Sequence, residues 1–308
     1  MGFNNFAFIL AAAITAGTPI LYAALGEILT ERGGILNLGL EGLMLIGAMT
    51  GFAGALFLEN PWAGLVAAML AGAVAGLVYG VFCIHLRTNQ VVCGLALTIF
   101  GIGLSGFLGK PLLGTPLPTP FPKLKVPLLG DIPFIGQIFF QQDALVYLSY
   151  LLIPVLWYYI FRTRPGLHLR TVGENPRAAD TLGVNVAKVR YLHTMAGGAL
   201  AAAGGAYLSV ALVPTWLENM AAGRGWIALA VVIFSGWNPL VAAAGAYLFG
   251  GVAALSLQMQ VVDIKIPSHF LGMAPYVLTI LVQIIATRGK RGKGGPAALG
   301  VSYDKEER

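Results

Sequence analysis

Apolar residues fall in long unbroken runs, without the two-residue alternation of half-buried strands or the polar face of a soluble helix. The runs are Phe6–Leu25, Ile35–Leu58, Trp62–Leu86, Val91–Gly109, Ala144–Phe161, Tyr191–Val213, Trp226–Ser235, Leu240–Leu257 and Phe270–Thr287. About 20 helical residues at ~1.5 Å each cross a hydrocarbon core of ~30 Å. All the runs except Trp226–Ser235 reach or approach that length. The pattern predicts an all-α polytopic membrane protein, a bundle of about nine (8–10) transmembrane helices. Trp226–Ser235 is either a re-entrant half-helix or the inner part of a span that begins near Trp216. The second option sets Glu218, Asn219 and Arg224 in a polar cavity.

Composition agrees with lipid as the main solvent. The 308 residues are 57% hydrophobic and 10% charged, against about a quarter charged in soluble domains. A soluble α/β protein of this hydropathy would need polar turns every few residues, and the long runs exclude it. The 41 glycines follow no collagen-like period and suit close helix–helix approach in lipid. Cys83 and Cys93 sit in or beside apolar runs, form no C-x-x-C pattern, and read as small buried thiols. The net charge of +6 does not point to a nucleic acid polymer, because the basic residues flank apolar runs. Met1–Phe6 carries no basic region and no small-residue cleavage site, so the first run reads as a retained helix.

Those flanking charges also orient the chain. Segment 162–190 carries Arg162, Arg164, Arg170, Arg177, Lys188 and Arg190, and the tail carries Arg288, Lys290, Arg291 and Lys293. Both belong on the cytoplasmic side, which requires an even number of crossings between them. Trp226–Ser235 therefore counts as a crossing, and the N-terminus lies outside. Residues 1–290 form one transmembrane domain, with a cytoplasmic loop at 162–190 and an outer Pro-rich loop at 110–142. Repeated prolines deny that outer loop a long helix, leaving it a plain connector or a surface for a substrate-delivering partner. Residues 291–308 read as a disordered basic, polar cytoplasmic tail.

Within the cytoplasmic loop, Gly173-Glu174-Asn175-Pro176-Arg177-Ala178-Ala179-Asp180-Thr181-Leu182-Gly183 has firm helix signals at both ends. Asn175 suits the N-cap, Pro176 the first helical position, and Gly183 the left-handed position past the end. A helix of about two turns is marginal alone in water, so it docks on something. Ala178, Ala179 and Leu182 give it an apolar face, and Arg177 and Asp180 a polar one. A shallow rigid peg of this kind is what a separate motor subunit could grip. A capped interfacial helix without a partner is the plainer reading.

Three stretches resemble one family. Gly173, Asn175, Ala178, Ala179 and Gly183 complete a G-x-N-x-x-A-A-x-x-x-G pattern. Gly33-Gly34-Ile35-Leu36-Asn37-Leu38-Gly39-Leu40-Glu41-Gly42-Leu43-Met44 is similar to an early G-x-x-N-L-x-x-E-G-x-M run. Gly223-Arg224-Gly225-Trp226-Ile227-Ala228-Leu229-Ala230 is similar to a later G-x-G-x-x-x-I-A motif. Together they resemble the branched-chain amino acid, ribose and nucleoside family of bacterial ABC-importer permeases, nearest its nucleoside branch. The resemblance implies a multi-pass subunit of the bacterial inner membrane, half of a translocation path for a small polar solute, and no enzyme. It also implies a second related permease, a cytoplasmic ABC ATPase that binds ATP and Mg, and an extracellular substrate-binding lipoprotein. The coupling helix would be Asn175–Leu182. The chain itself lacks a Walker A pattern: Gly109-Lys110, Gly289-Lys290 and Gly292-Lys293 are not followed by Ser or Thr.

Polar side chains within spans are expensive in lipid and mark candidate pathway positions. Asn37 and Glu41, four residues apart on one helix, would share a face. They line the path or a hinge, or they hold two helices together by hydrogen bonds. Asn89 and Gln90 line a cytoplasmic gate or cap a helix. Trp216, Glu218 and Asn219 lie at the outer end. There the tryptophan is either part of an aromatic belt or, with its neighbours, a contact for the solute or its carrier. A proton- or sodium-coupled secondary transporter using Glu41 is the main rival, but it needs no docking peg. A membrane enzyme lacks a nucleophile–base arrangement, and His85, His168, His193 and His269 are scattered around span ends.

Overall fold

The computed structural model describes residues 3–261, 268–288 and 295–304. The long helices are α1 (Phe3–Arg32), α2 (Leu40–Phe57), α3 (Pro61–Gly80), α4 (Gln90–Gly109), α6 (Ala144–Arg162), α9 (Val186–Tyr207), α11 (Pro239–Val261) and α12 (Ser268–Arg288). Shorter helices are α5 (Ile135–Phe139), α7 (Arg164–Glu174), α8 (Pro176–Thr181) and α10 (Arg224–Ser235). Single π-helical turns extend α3 over Val81–His85 and α9 over Leu208–Leu212.

Helices α1, α2 and α9 form the core, with α3, α10 and α11 packed around them. Small residues set the spacing. A methyl group on Gly205 would lie 1.8 Å from the Met44 carbonyl oxygen, and one on Gly47 2.1 Å from that of Ala202. Helices α2 and α9 therefore touch backbone to backbone, gaining dispersion contacts where lipid offers no hydrophobic drive. Ser209 Oγ donates to the Ala48 carbonyl at 2.7 Å one turn further on.

The basic loop 162–190 and the described residues 295–304 lie at one end of the bundle: the Ala298 amide donates to the Gly173 carbonyl at 2.9 Å, joining the two directly. Helix α1 also ends here, at Arg32, so its beginning lies at the opposite end, where Gln142 accepts from Thr15 Oγ1 at 3.0 Å. The Pro-rich segment closes that end. Its short strands β1 (Lys123–Lys125) and β2 (Gln141–Asp143) pair antiparallel, and the Leu117 and Phe121 amides donate to the Pro214 and Val210 carbonyls. Buried Asp143 caps α6, accepting from the Leu145 and Val146 amides and from Tyr207 Oη at 2.9–3.0 Å. Its burial lifts the carboxyl above the usual carboxylate range, and those hydrogen bonds pull against the rise.

Several sequence expectations need correction. Among the described residues seven helices are long and apolar enough to cross a membrane. Helix α10 has 12 residues, only about 18 Å of rise. Its chain still runs from end to end of the bundle, from Thr215, bridged to Pro116 outside, to Trp237, bonded to Arg32 inside. The outer half of that passage, 213–223, is non-helical, which is tolerated where protein rather than lipid surrounds the backbone. The run Ile35–Leu58 is not one helix either: residues 33–39 form a turn and an extended stretch before α2 begins. The first span reaches Arg32 rather than Leu25. Finally, residues 295–304, expected as part of a disordered tail, pack on the end of the bundle that carries the basic loop.

Candidate functional site

Two places carry the polar chemistry of the chain: an interior joint and a cytoplasmic face. The joint forms where the two non-helical passages meet. Glu41, 4% exposed in the first turn of α2, accepts from the Gly223 amide through Oε1 and from the Gly225 amide through Oε2, both at 2.7 Å. These are two of the orphan N–H groups that open α10, and a carboxylate there also meets the positive end of the helix dipole. Gly223 adopts φ +83°, and a methyl group on Gly225 would stand 2.5 Å from the Glu41 nitrogen, so only glycine fits both positions. Glu41 thus holds two helices together, which is one of the two roles its position allowed.

Asn37 does not share a helical face with Glu41, because it precedes α2. Its Oδ1 accepts from the Gly39 amide at 2.9 Å, and its own amide donates to Glu27 Oε1 at 3.1 Å. Gln90, 3% exposed, pins the same stretch by accepting from the Leu36 amide at 2.7 Å. Asn89 is exposed and caps α4, accepting from the Val91 and Val92 amides. Trp216 is fully buried and no aromatic-belt residue. Its indole lies on Gly109, where a methyl group would stand 2.2 Å from Nε1. Glu218 and Asn219 are exposed beside it.

Three functional positions escaped the sequence reading. Glu27 and Glu31 are buried near the inner end of α1, and Glu31 accepts from Trp237 Nε1 at the α10–α11 corner. One helical turn apart beside an apolar run, they carried a signal that the early end assigned to the first span concealed. Arg190, counted only as an orienting charge, is 1% exposed. Its Nε donates to the Gly33 carbonyl at 3.1 Å and its Nη1 to the Val301 carbonyl at 3.4 Å. Among the described residues no three His, Cys, Asp or Glu side chains converge as a metal site requires.

In the basic loop, α7 leads into α8, which is built as its caps require. Asn175 Oδ1 accepts from the Ala178 amide at 3.0 Å. Pro176 opens the helix, and Gly183 at φ +82° closes it. Ala179 is buried with Val172 and Val186, while Ala178 and Arg177 are exposed and Leu182 is 81% exposed. Gly173 is seated against the Arg32 carbonyl, 2.1 Å from where a methyl group would be. The peg is thus fixed to the bundle on one side and presents an apolar surface on the other. Beside it opens a crevice of about 510 Å³ lined by His85, Arg87, Asp180, Val184, Arg190 and Tyr303.

The family model described as the permease component of the branched-chain amino acid transport system matches residues 9–286. The chain belongs to this family. Its relatives extend along the whole length of this permease. The guanosine ABC transporter permease protein NupQ of Bacillus subtilis is 38% identical, covering 97% of each chain. The nucleoside ABC transporter permease protein NupC of Lactococcus lactis is 38% identical, covering 99% of each. TsgC13 of Haloferax volcanii, a permease provisionally assigned to glucose, is also 38% identical, covering 97% of this chain and 98% of its own. The chain is therefore an ABC permease for a small polar solute, a multi-pass membrane protein and a transport subunit rather than an enzyme. Membership also implies a partner permease and an ATPase.

Proposed function

We propose that this permease forms half of the pathway of a nucleoside importer and that Gly173–Gly183 is its contact with the ATPase. The substrate reading is carried by the near-complete alignment with a guanosine and a nucleoside permease. An extracellular binding lipoprotein delivers the nucleoside to the outer end, where Glu218 and Asn219 are exposed. ATP and Mg are bound and ATP is hydrolysed in the partner ATPase. In this reading Asn37, Glu41 and Gln90 do not touch the solute. They form the joint about which the α2 and α10 halves turn between inward- and outward-open states, with Asn89 fixing α4 beside it and Trp216 fixing the outer passage to α4.

Uptake of labelled guanosine by the reconstituted complex tests the substrate. Excess unlabelled nucleoside is expected to abolish it and glucose to leave it unchanged. Glucose competition without nucleoside competition establishes the second reading, which the equal identity to TsgC13 favours.

The coupling contact has its own test. Ala178 and Leu182 are four residues apart on the exposed side of the peg. Ala178→Glu with Leu182→Asp puts two carboxylates where a partner would cover apolar surface, while Ala179 stays buried. Binding of the ATPase is expected to weaken by about tenfold or more, from the cost of desolvating charge at an interface, with membrane insertion unchanged. Wild-type affinity and uptake in this variant would remove α8 from the coupling role.

A further inference from the structure

The C-terminal segment has no role in the scheme above, yet each of its described turns is fastened to a different part of the cytoplasmic end. The Ala297 amide lies 3.3 Å from Glu174 Oε2, and the Ala298 amide donates to the Gly173 carbonyl at 2.9 Å, both at the root of α8. The Gly300 amide donates to the Gly34 carbonyl at 3.2 Å, in the turn that leads to Asn37 and Glu41. The Val301 carbonyl accepts from buried Arg190 of α9, whose other bond holds Gly33. Tyr303 packs against Val172, Ala179 and Val186. It stands beside Asp180, and lost hydration followed by the hydrogen bond and charge of that aspartate raises the pKa of its hydroxyl. Asp304 pairs with Arg87 in the turn between α3 and α4, and Arg87 itself adopts φ +53° there. At the other end, Gly295 lies on the Trp237 ring at the α10–α11 corner.

One ten-residue stretch therefore bonds the base of α8, the α1–α2 turn, the α3–α4 turn, α9 and the α10–α11 corner. The anchors on Gly173, Gly34 and Arg190 are backbone groups of the strap and so depend on its path rather than its side chains. Helix α8 itself touches the bundle mainly through Ala179, a small contact for carrying a push. We propose that residues 295–304 are a positioning strap that delivers movement of α8 to the 33–39 stretch, and through it to the Glu41 joint. This rests on the reading of α8 as the coupling helix.

The test uses the complete transporter in liposomes, with uptake and ATP hydrolysis measured on the same preparation. Gly300→Val forces a β-branched residue into φ +76°, a left-handed conformation that its side chain disfavours, and lifts the strap from Gly34. Asp304→Arg sets two cations face to face at Arg87. In both variants solute moved per ATP is expected to fall about fivefold, the lower range of coupling between distant sites, with ATPase co-purification unchanged. Arg87→Asp combined with Asp304→Arg restores the pair and is expected to restore the ratio. A wild-type ratio in Gly300→Val or Asp304→Arg, loss of ATPase binding in either, or failure of the exchanged pair to recover overturns the strap. The α8 variant separates the two readings. If Ala178→Glu/Leu182→Asp is silent, the coupling-helix reading has failed. If it blocks ATPase binding while the strap variants behave as wild type, only the strap has failed.

Discussion

Glu41→Ala is expected to destabilise the permease by about 2–5 kcal/mol, because it leaves two inward-facing N–H donors of α10 unpaired at about 1–3 kcal/mol each. The donors are the Gly223 and Gly225 amides, each 2.7 Å from a carboxylate oxygen. No other described side chain is bonded to them, and in the bundle interior water is a poor substitute. Loss of the anion at the start of α10 adds a smaller term from the helix dipole. Glu41→Gln keeps one acceptor and turns an NH2 group toward the other donor, so an intermediate loss is expected. The measurement is the apparent unfolding temperature in detergent together with co-purification of the partner subunits. A Glu41→Ala protein as stable as wild type, with only transport impaired, would return Glu41 to the lining of the pathway.

Gly205→Ala carries the second large effect. The added methyl would meet the Met44 carbonyl oxygen at 1.8 Å and the Ala48 nitrogen at 2.9 Å. Backbone atoms cannot rotate aside as a side chain can, so α2 and α9 must separate along their whole contact. Overpacking of this kind costs about 3 kcal/mol, and the separation also stretches the bond from Ser209 to the Ala48 carbonyl. Gly103→Ala on α4 is the matched control, since nothing lies within 4 Å of the new methyl. It is expected to be neutral or to stabilise by about 0.5–1 kcal/mol through helix propensity. Equal thermal stability of the two variants would show that α2 and α9 are not held at backbone contact in the membrane.

Legibility in the sequence followed the range of the interaction. Asn175, Pro176 and Gly183 act on backbone groups within a turn of themselves, so the limits of α8 were readable from the residues alone. The same is true of Asn89, whose side chain caps the helix it precedes. The break at 33–39 was not readable from hydropathy. Apolar Ile35, Leu36 and Leu38 continue the run through it, and the extended stretch is held by Gln90 and Glu27, partners 54 and 10 residues away.

By itself, then, the sequence determined that this is a helical membrane bundle and that a capped peg stands in its basic loop. Each of these follows from side chains meeting lipid, water or their own backbone. Only the tertiary structure decided that Glu41 closes onto α10 across 182 residues, that α10 is a half-length helix preceded by a non-helical passage, and that 295–304 is fastened down. In each case at least one of the bonded groups is a backbone amide or carbonyl. Every residue except proline carries that pair of groups, so the sequence contains no mark of which one will be used.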